Sequence, residues 1–153
     1  MYLQSFSGQD DYPTIGVPEI DREHLALANE LRKLLAAVKD DDRELTVVVA
    51  GNLIECANEH FAHEERLMRE SRFAGSARHK QSHDEFLTKA RLHFDELRAN
   101  GLNADCLRWV ATTMDWFRSH VRVEDSALAR ALTARAGTPR DPCTDPTTGY
   151  GKD

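Results

Sequence analysis

The sequence predicts an all-α fold, an up-down-up-down antiparallel four-helix bundle, from three observations. Apolar residues recur at steps of three and four over four long stretches, the period of one helix face. Short polar or glycine-containing segments separate those stretches, and short loops make consecutive helices antiparallel neighbours. Histidines and acids fall alternately early and late in the stretches: His24 early in the first, His60 and Glu64 late in the second, His79 and His83 early in the third, His120 late in the fourth. In a bundle of that topology these positions share one depth.

The chain of 153 residues suits a single domain. Residues 1–18 read as an N-terminal arm carrying Tyr12, Ile15 and Val17, because Pro13, Gly16 and Pro18 interrupt any helix there. The bundle then spans 19–136. Asp21 is the expected N-cap of the first helix, whose seam is Ile20, His24, Leu27, Leu31, Leu34 and Val38 and which should end near Lys39. After the acidic turn Asp40-Asp41-Asp42, the second seam is Leu45, Val49, Leu53, Cys56, His60, Glu64 and Leu67, ending before Gly75. The third helix carries His79, His83, Phe86, Ala90, His93 or Phe94, and Leu97, and Asn100-Gly101 stops it. The fourth carries Cys106, Trp109, Thr113, Trp116, Phe117 and His120. From 137 to 153 the composition turns to Gly, Pro, Thr and Asp, which predicts an irregular tail.

Composition excludes several functions. With 20 Lys and Arg against 26 Asp and Glu, net charge −6, the chain has no basic stripe for a phosphate backbone, so nucleic acid is not an expected partner. The opening MYLQSFSGQDDYPTIG lacks a charged-then-apolar leader, and no run approaches the ~20 apolar residues of a membrane span. A cytoplasmic location with no membrane partner is expected; the sequence names no protein partner. Cys56 and Cys106 read as core thiols, and Cys143 falls in the tail.

The stretch HFAHEERLMRESRFAGSARHKQSH, residues 60–83, carries the chemistry. His60 and Glu64, and likewise His79 and His83, are four apart, so each pair projects from one helix face. With His24, His120 and Asp125 they amount to five imidazoles and two carboxylates, too many donors for one tetrahedral zinc and suited to two ions sharing the carboxylates. Burying such groups without a cation would cost several kcal/mol each. His63, off the Glu64 face, and His93, towards the other end, read as structural or surface residues. Glu23 could add a carboxylate near the metal layer or point to solvent, and solvent is the favoured reading. His120 and Asp125 are five apart, and at about 100° per residue that is roughly 140° around an unbroken helix. The backbone between them must therefore unwind or bend, helped by Val121 and Val123, with Arg122 a partner for freed carbonyls and a helical continuation from about Glu124 to Ala134.

Through GVPEIDREH, HFAHEERLM, HKQSH and SHVRVED, residues 12–132 resemble the hemerythrins, in particular the single-domain bacteriohemerythrins. The resemblance implies a non-haem pair of iron ions, Fe2+ or Fe3+, with a bridging oxo or hydroxo group. His79, His83 and His120 would bind one iron and His24 and His60 the other, with Glu64 and Asp125 bridging. It further implies that O2 is bound reversibly as a hydroperoxide at the open position, within an apolar pocket of Leu27, Phe61, Trp116, Phe117 and Val121. Glu23 stands where relatives commonly carry Gln, and Val121-Arg122-Val123-Glu124 replaces a segment that often contains Pro. O2 carriage, storage or sensing is thus the leading function, and the chain is not expected to be an enzyme. The alternatives are a di-iron oxidase, peroxide or nitric-oxide handling, or iron handling. Di-iron oxidases generally use more carboxylates and the Glu-x-x-His spacing, which this histidine-rich set lacks.

Overall fold

The computed structural model describes residues 14–136. The expected tail, Cys143, Tyr12 and most of the expected arm lie outside the described residues. Helices α1 (Pro18–Lys39), α2 (Arg43–Ser71), α3 (Ser76–Asn100) and α4 (Ala104–His120) form the bundle. A π-helical turn, Val121–Asp125, continues α4 and leads into α5 (Ser126–Ala136). There is no strand among the described residues.

Helix boundaries follow from local chemistry, with one correction to the sequence reading. Asp21 does not cap α1. Pro18, whose ring presets a helical φ, begins the helix after Val17. Asp21 lies within the first turn, where its carboxylate accepts hydrogen bonds from the backbone N–H groups of Ile15 (2.8 Å) and Gly16 (3.1 Å). The side chain thus pins the incoming segment instead of its own helix end. In the acidic turn, Asp42 caps α2 by accepting from Leu45 N–H at 3.0 Å. Arg72, at φ 52°, closes α2 in the left-handed region, and Phe73 N–H bonds back to the Met68 carbonyl at 2.9 Å. At the α2–α3 junction the Phe73 ring lies over Gly75, and a Cβ there, 2.6 Å from the ring edge, would make the ring swing aside. Asn103 caps α4 through Asp105 and Cys106 N–H.

Helix α1 packs on α2 and α4, α2 on α3, and α3 on α4, the neighbour pattern of an up-down-up-down bundle. The apolar core runs through Leu27, Leu31, Leu34, Val49, Leu53, Ala57, Leu97, Val110, Met114 and Phe117, all buried. Leu45 departs from the predicted α2 seam at 47% exposure, and Leu67 is only partly buried while Met68 is fully covered. Cys56 and Cys106 are free thiols at the core's edge, not within it. Helix α5 folds back on α2: Leu128 and Ala129 are buried, and the Arg135 guanidinium donates to the Ser71 carbonyl at 2.5 Å.

Leu31 sits in the middle of this core at 1% exposure. Leu31→Ala should lower unfolding free energy by about 2–5 kcal/mol in urea titrations, the loss of apolar burial plus a residual cavity. A loss under about 1 kcal/mol would contradict its close packing.

Candidate metal centre

At one end of the bundle the four helices and the π-turn bring together seven side chains. His24 comes from α1, His60 and Glu64 from α2, His79 and His83 from α3, His120 from the end of α4, and Asp125 from the end of the π-turn. Each is at most 3% exposed. They divide into two overlapping groups of potential ligand atoms, each group within 4.8 Å: Glu64, His79, His83, His120 and Asp125; and His24, His60, Glu64 and Asp125.

Glu64 and Asp125 belong to both groups. Asp125 turns one oxygen to each: Oδ1 lies 3.0 Å from His79 Nε2 and 3.1 Å from His120 Nε2, while Oδ2 lies 3.1 Å from His24 Nε2. Glu64 approaches both groups with a single oxygen, Oε2, at 3.2 Å from His83, 3.5 Å from His79 and 3.6 Å from His60. His120 Nε2 also stands 3.1 Å from the Nε2 atoms of both His79 and His83.

The π-turn makes this possible. The sequence demanded a break in α-helical periodicity after His120; the backbone widens rather than unwinds. Ser126 N–H bonds to the carbonyl of Val121, five residues back, so residues five apart share a face and Asp125 falls beneath His120. The widened turn retains its backbone bonding, and the Ser126 hydroxyl adds a bond to the Val121 carbonyl at 3.0 Å. Arg122, the expected partner, is exposed, and α5 follows from Ser126 rather than Glu124.

The electrostatics of the layer favour a cation. Burial alone would raise both carboxylates, but contacts with His79 and His83 hold Glu64 down at about 2. Contacts with His120, His24 and His79 likewise outweigh burial at Asp125 and hold it well below the carboxylate range. Burial pulls His79 down, yet Asp125 and Glu64 overcome it and push it up to about 9; at His83 burial prevails and the shift is downward. Two buried anions therefore bind a proton on His79 strongly, and a multivalent cation would take over that role and release it. The donor set fits such a cation. Among the described residues, His24 Nε2, His60 Nε2 and both oxygens of Glu64 and Asp125 are buried without a hydrogen-bond partner of good geometry, at about 1–3 kcal/mol per unsatisfied group.

Aromatic rings wall the layer. Phe61 stacks on His83 at 3.9 Å between centroids, Trp116 on His120 at 4.5 Å, and Phe117 meets His24 edge-on at 5.7 Å. Leu27 and Val121 are buried in the adjoining core, and Trp116 is partly exposed.

One residue was misjudged from sequence. Glu23 does not point simply to solvent: its Oε2 accepts from His60 Nδ1 at 2.9 Å and its Oε1 from His63 Nδ1 at 2.7 Å. Burial opposes ionisation of Glu23, but these two bonds prevail and lower it. The available signal was the His60–His63 spacing of three, which puts both imidazoles on the side of α2 facing α1. His93, by contrast, lies away from the layer, 40% exposed and stacked on Trp109.

Residues 15–132 match the family model described as the hemerythrin HHE cation-binding domain. The chain belongs to the hemerythrin family. Bacteriohemerythrin from Stenotrophomonas maltophilia is 29% identical over 126 residues, covering 82% of this chain and 80% of that protein. Hemerythrin from Themiste dyscrita is 37% identical over a shorter span of 70 residues, 46% of this chain and 56% of that protein. A crystal structure of wild-type hemerythrin superposes with a TM-score of 0.72 at 23% identity, covering 86% of this chain and 99% of that one, which supports the shared fold. Among the described residues, no helix is long and apolar enough to cross a membrane.

A family member with carboxylates shared between two groups should depend on them more than on any histidine elsewhere. Glu64→Ala should remove most bound metal, whereas His93→Ala should leave the metal-to-protein ratio within about a tenth of the parent's, since a ligand loss is felt at the ion and an outlying ring is not. Elemental analysis of both variants checks this; equal losses would show the layer is not the binding site.

Proposed function

We propose that this hemerythrin-family chain binds dioxygen reversibly at two iron ions held in the buried layer. The observation that carries the reading is the pair of carboxylates common to two groups of imidazoles, with Asp125 presenting a different oxygen to each. His79, His83 and His120 would hold one ion and His24 and His60 the other, with Glu64 and Asp125 serving both. When bound, the iron pair supplies the two electrons that dioxygen binding draws on and recovers on release.

The chain's own contribution is donor choice, asymmetry and enclosure. Five neutral imidazoles against two shared carboxylates keep the anionic charge low, which disfavours the highly oxidised states that oxidative chemistry requires. One side has three histidines and the other two, so the two-histidine side has fewer protein donors and is the natural place for an exogenous ligand. Phe117 against His24 and Phe61 against His60, with Leu27 and Val121 in the adjoining core, limit water and protons at that place, while Trp116 covers His120 on the three-histidine side; the enclosure favours release of dioxygen over its reduction. The reading is therefore of a carrier, store or sensor, not an enzyme.

Purified protein reconstituted anaerobically with ferrous iron should hold two irons per chain, the number that the five imidazoles and two shared carboxylates accommodate. On admission of air a new visible absorption should appear, and it should vanish on removal of oxygen over several cycles. One metal per chain, a preference for zinc, or irreversible oxidation in the first cycle would overturn the proposal.

A further inference from the structure

The five histidines of the layer are not equally supported from behind. His60 donates its Nδ1 proton to Glu23 at 2.9 Å, which fixes its tautomer and leaves Nε2 with its lone pair facing the layer. The corresponding contacts of His83 with Glu65, at 3.5 Å, and of His120 with Glu124, at 3.7 Å, are too long for good hydrogen bonds. Among the described residues, the Nδ1 atoms of His24 and His79 have no hydrogen-bond partner. The one well-made outer bond thus serves the group with fewer donors.

Glu23 is poorly suited to that task alone. Its side chain is 33% exposed and borders an open surface cavity of about 580 Å³ that Arg22 and Arg66 also line. A long carboxylate there has water and guanidinium groups as competing partners, and loses rotamer freedom when it is held in one pose. His63 counters this. One turn beyond His60 on α2 and 15% exposed, it donates from Nδ1 to the other Glu23 oxygen at 2.7 Å. Both oxygens are then occupied by donors three residues apart on one rigid helix, which defines the carboxylate's position and orientation.

We propose that His63 is a positioning residue for the metal centre: by clamping Glu23 it orients His60 and so secures the ion on the two-histidine side in particular. This deepens the di-iron reading and rests on it. Among the described residues, the clamp reaches no donor of the three-histidine group except through the shared carboxylates, so its effect is selective for one ion of the two.

The test loads the full chain with ferrous iron under anaerobic conditions, adds excess chelator, and follows the iron remaining per chain with time. In His63→Leu one of the two irons should leave about tenfold faster than in the parent while the other keeps the parental rate, the lower end of what loss of an outer-shell partner costs. Glu23→Leu should show the same selective loss, up to about 100-fold. His63→Asn, whose side-chain N–H stands near the place of Nδ1, should return to within about twofold of the parent, which a purely structural role for the ring would not produce. Circular dichroism of the metal-free variants monitors the fold; if His63→Leu is poorly folded, the Asn and Glu23→Leu variants decide. Parental release from His63→Leu beside selective loss in Glu23→Leu would overturn the role of His63, as would equal acceleration of both irons. Full retention of both irons by Glu64→Ala would overturn the metal reading itself, and His63 with it.

Discussion

Seven buried polar side chains must be satisfied together at one end of this bundle, and most of the architecture follows from that. An unpaired buried carboxylate or imidazole costs enough to offset the burial of a large apolar side chain. The layer is tolerable only if its charges face a common centre, so helix directions, the depths of the ligand positions and the π-turn are coupled. The apolar seam from Leu31 and Leu34 through Val110 occupies the rest of the bundle and supplies the rigidity on which the layer is mounted. Stability and site are thus spatially separated along the same four helices.

The layer is asymmetric in its outer support as well as in its donors. The three-histidine group is dense: His120 Nε2 lies 3.1 Å from the Nε2 atoms of His79 and His83 and from Asp125, so each neighbour restrains the next. The two-histidine group lacks that density and relies on Glu23 and α1 instead. A hydrogen bond across α1 and α2 therefore ties the sparser half of the layer to two long helices that pack along each other.

Spacing made much of this legible in the sequence. Steps of three and four identify helices and their inner faces, steps of four identify the His60–Glu64 and His79–His83 pairs, and a step of five at His120–Asp125 requires a departure from α-helical geometry. What spacing could not reveal was how competing local bonds are resolved. Asp21 had the right character for a cap, but Pro18 begins the helix without one, leaving the carboxylate to bind the backbone of Ile15 and Gly16. Glu23 has a polar side chain at a boundary position, and whether it turns outward depends on the donors of another helix, forty residues away at His63. The widening after His120 keeps the Val121 carbonyl bonded, by the Ser126 N–H and hydroxyl, where unwinding would have freed it.

The two tryptophans lie over two different imidazoles. Trp116 is stacked on His120 inside the layer, at 17° between planes, while Trp109 is stacked on His93 near the opposite end at 27°. Indole emission responds to the charge and electron demand of a ring held face to face with it. The molecule accordingly contains one indole stacked on a ring of its centre and a second, buried in the core against the exposed His93, that touches no residue of the layer among the described residues. Changes at the centre can be read against an internal reference without any added label.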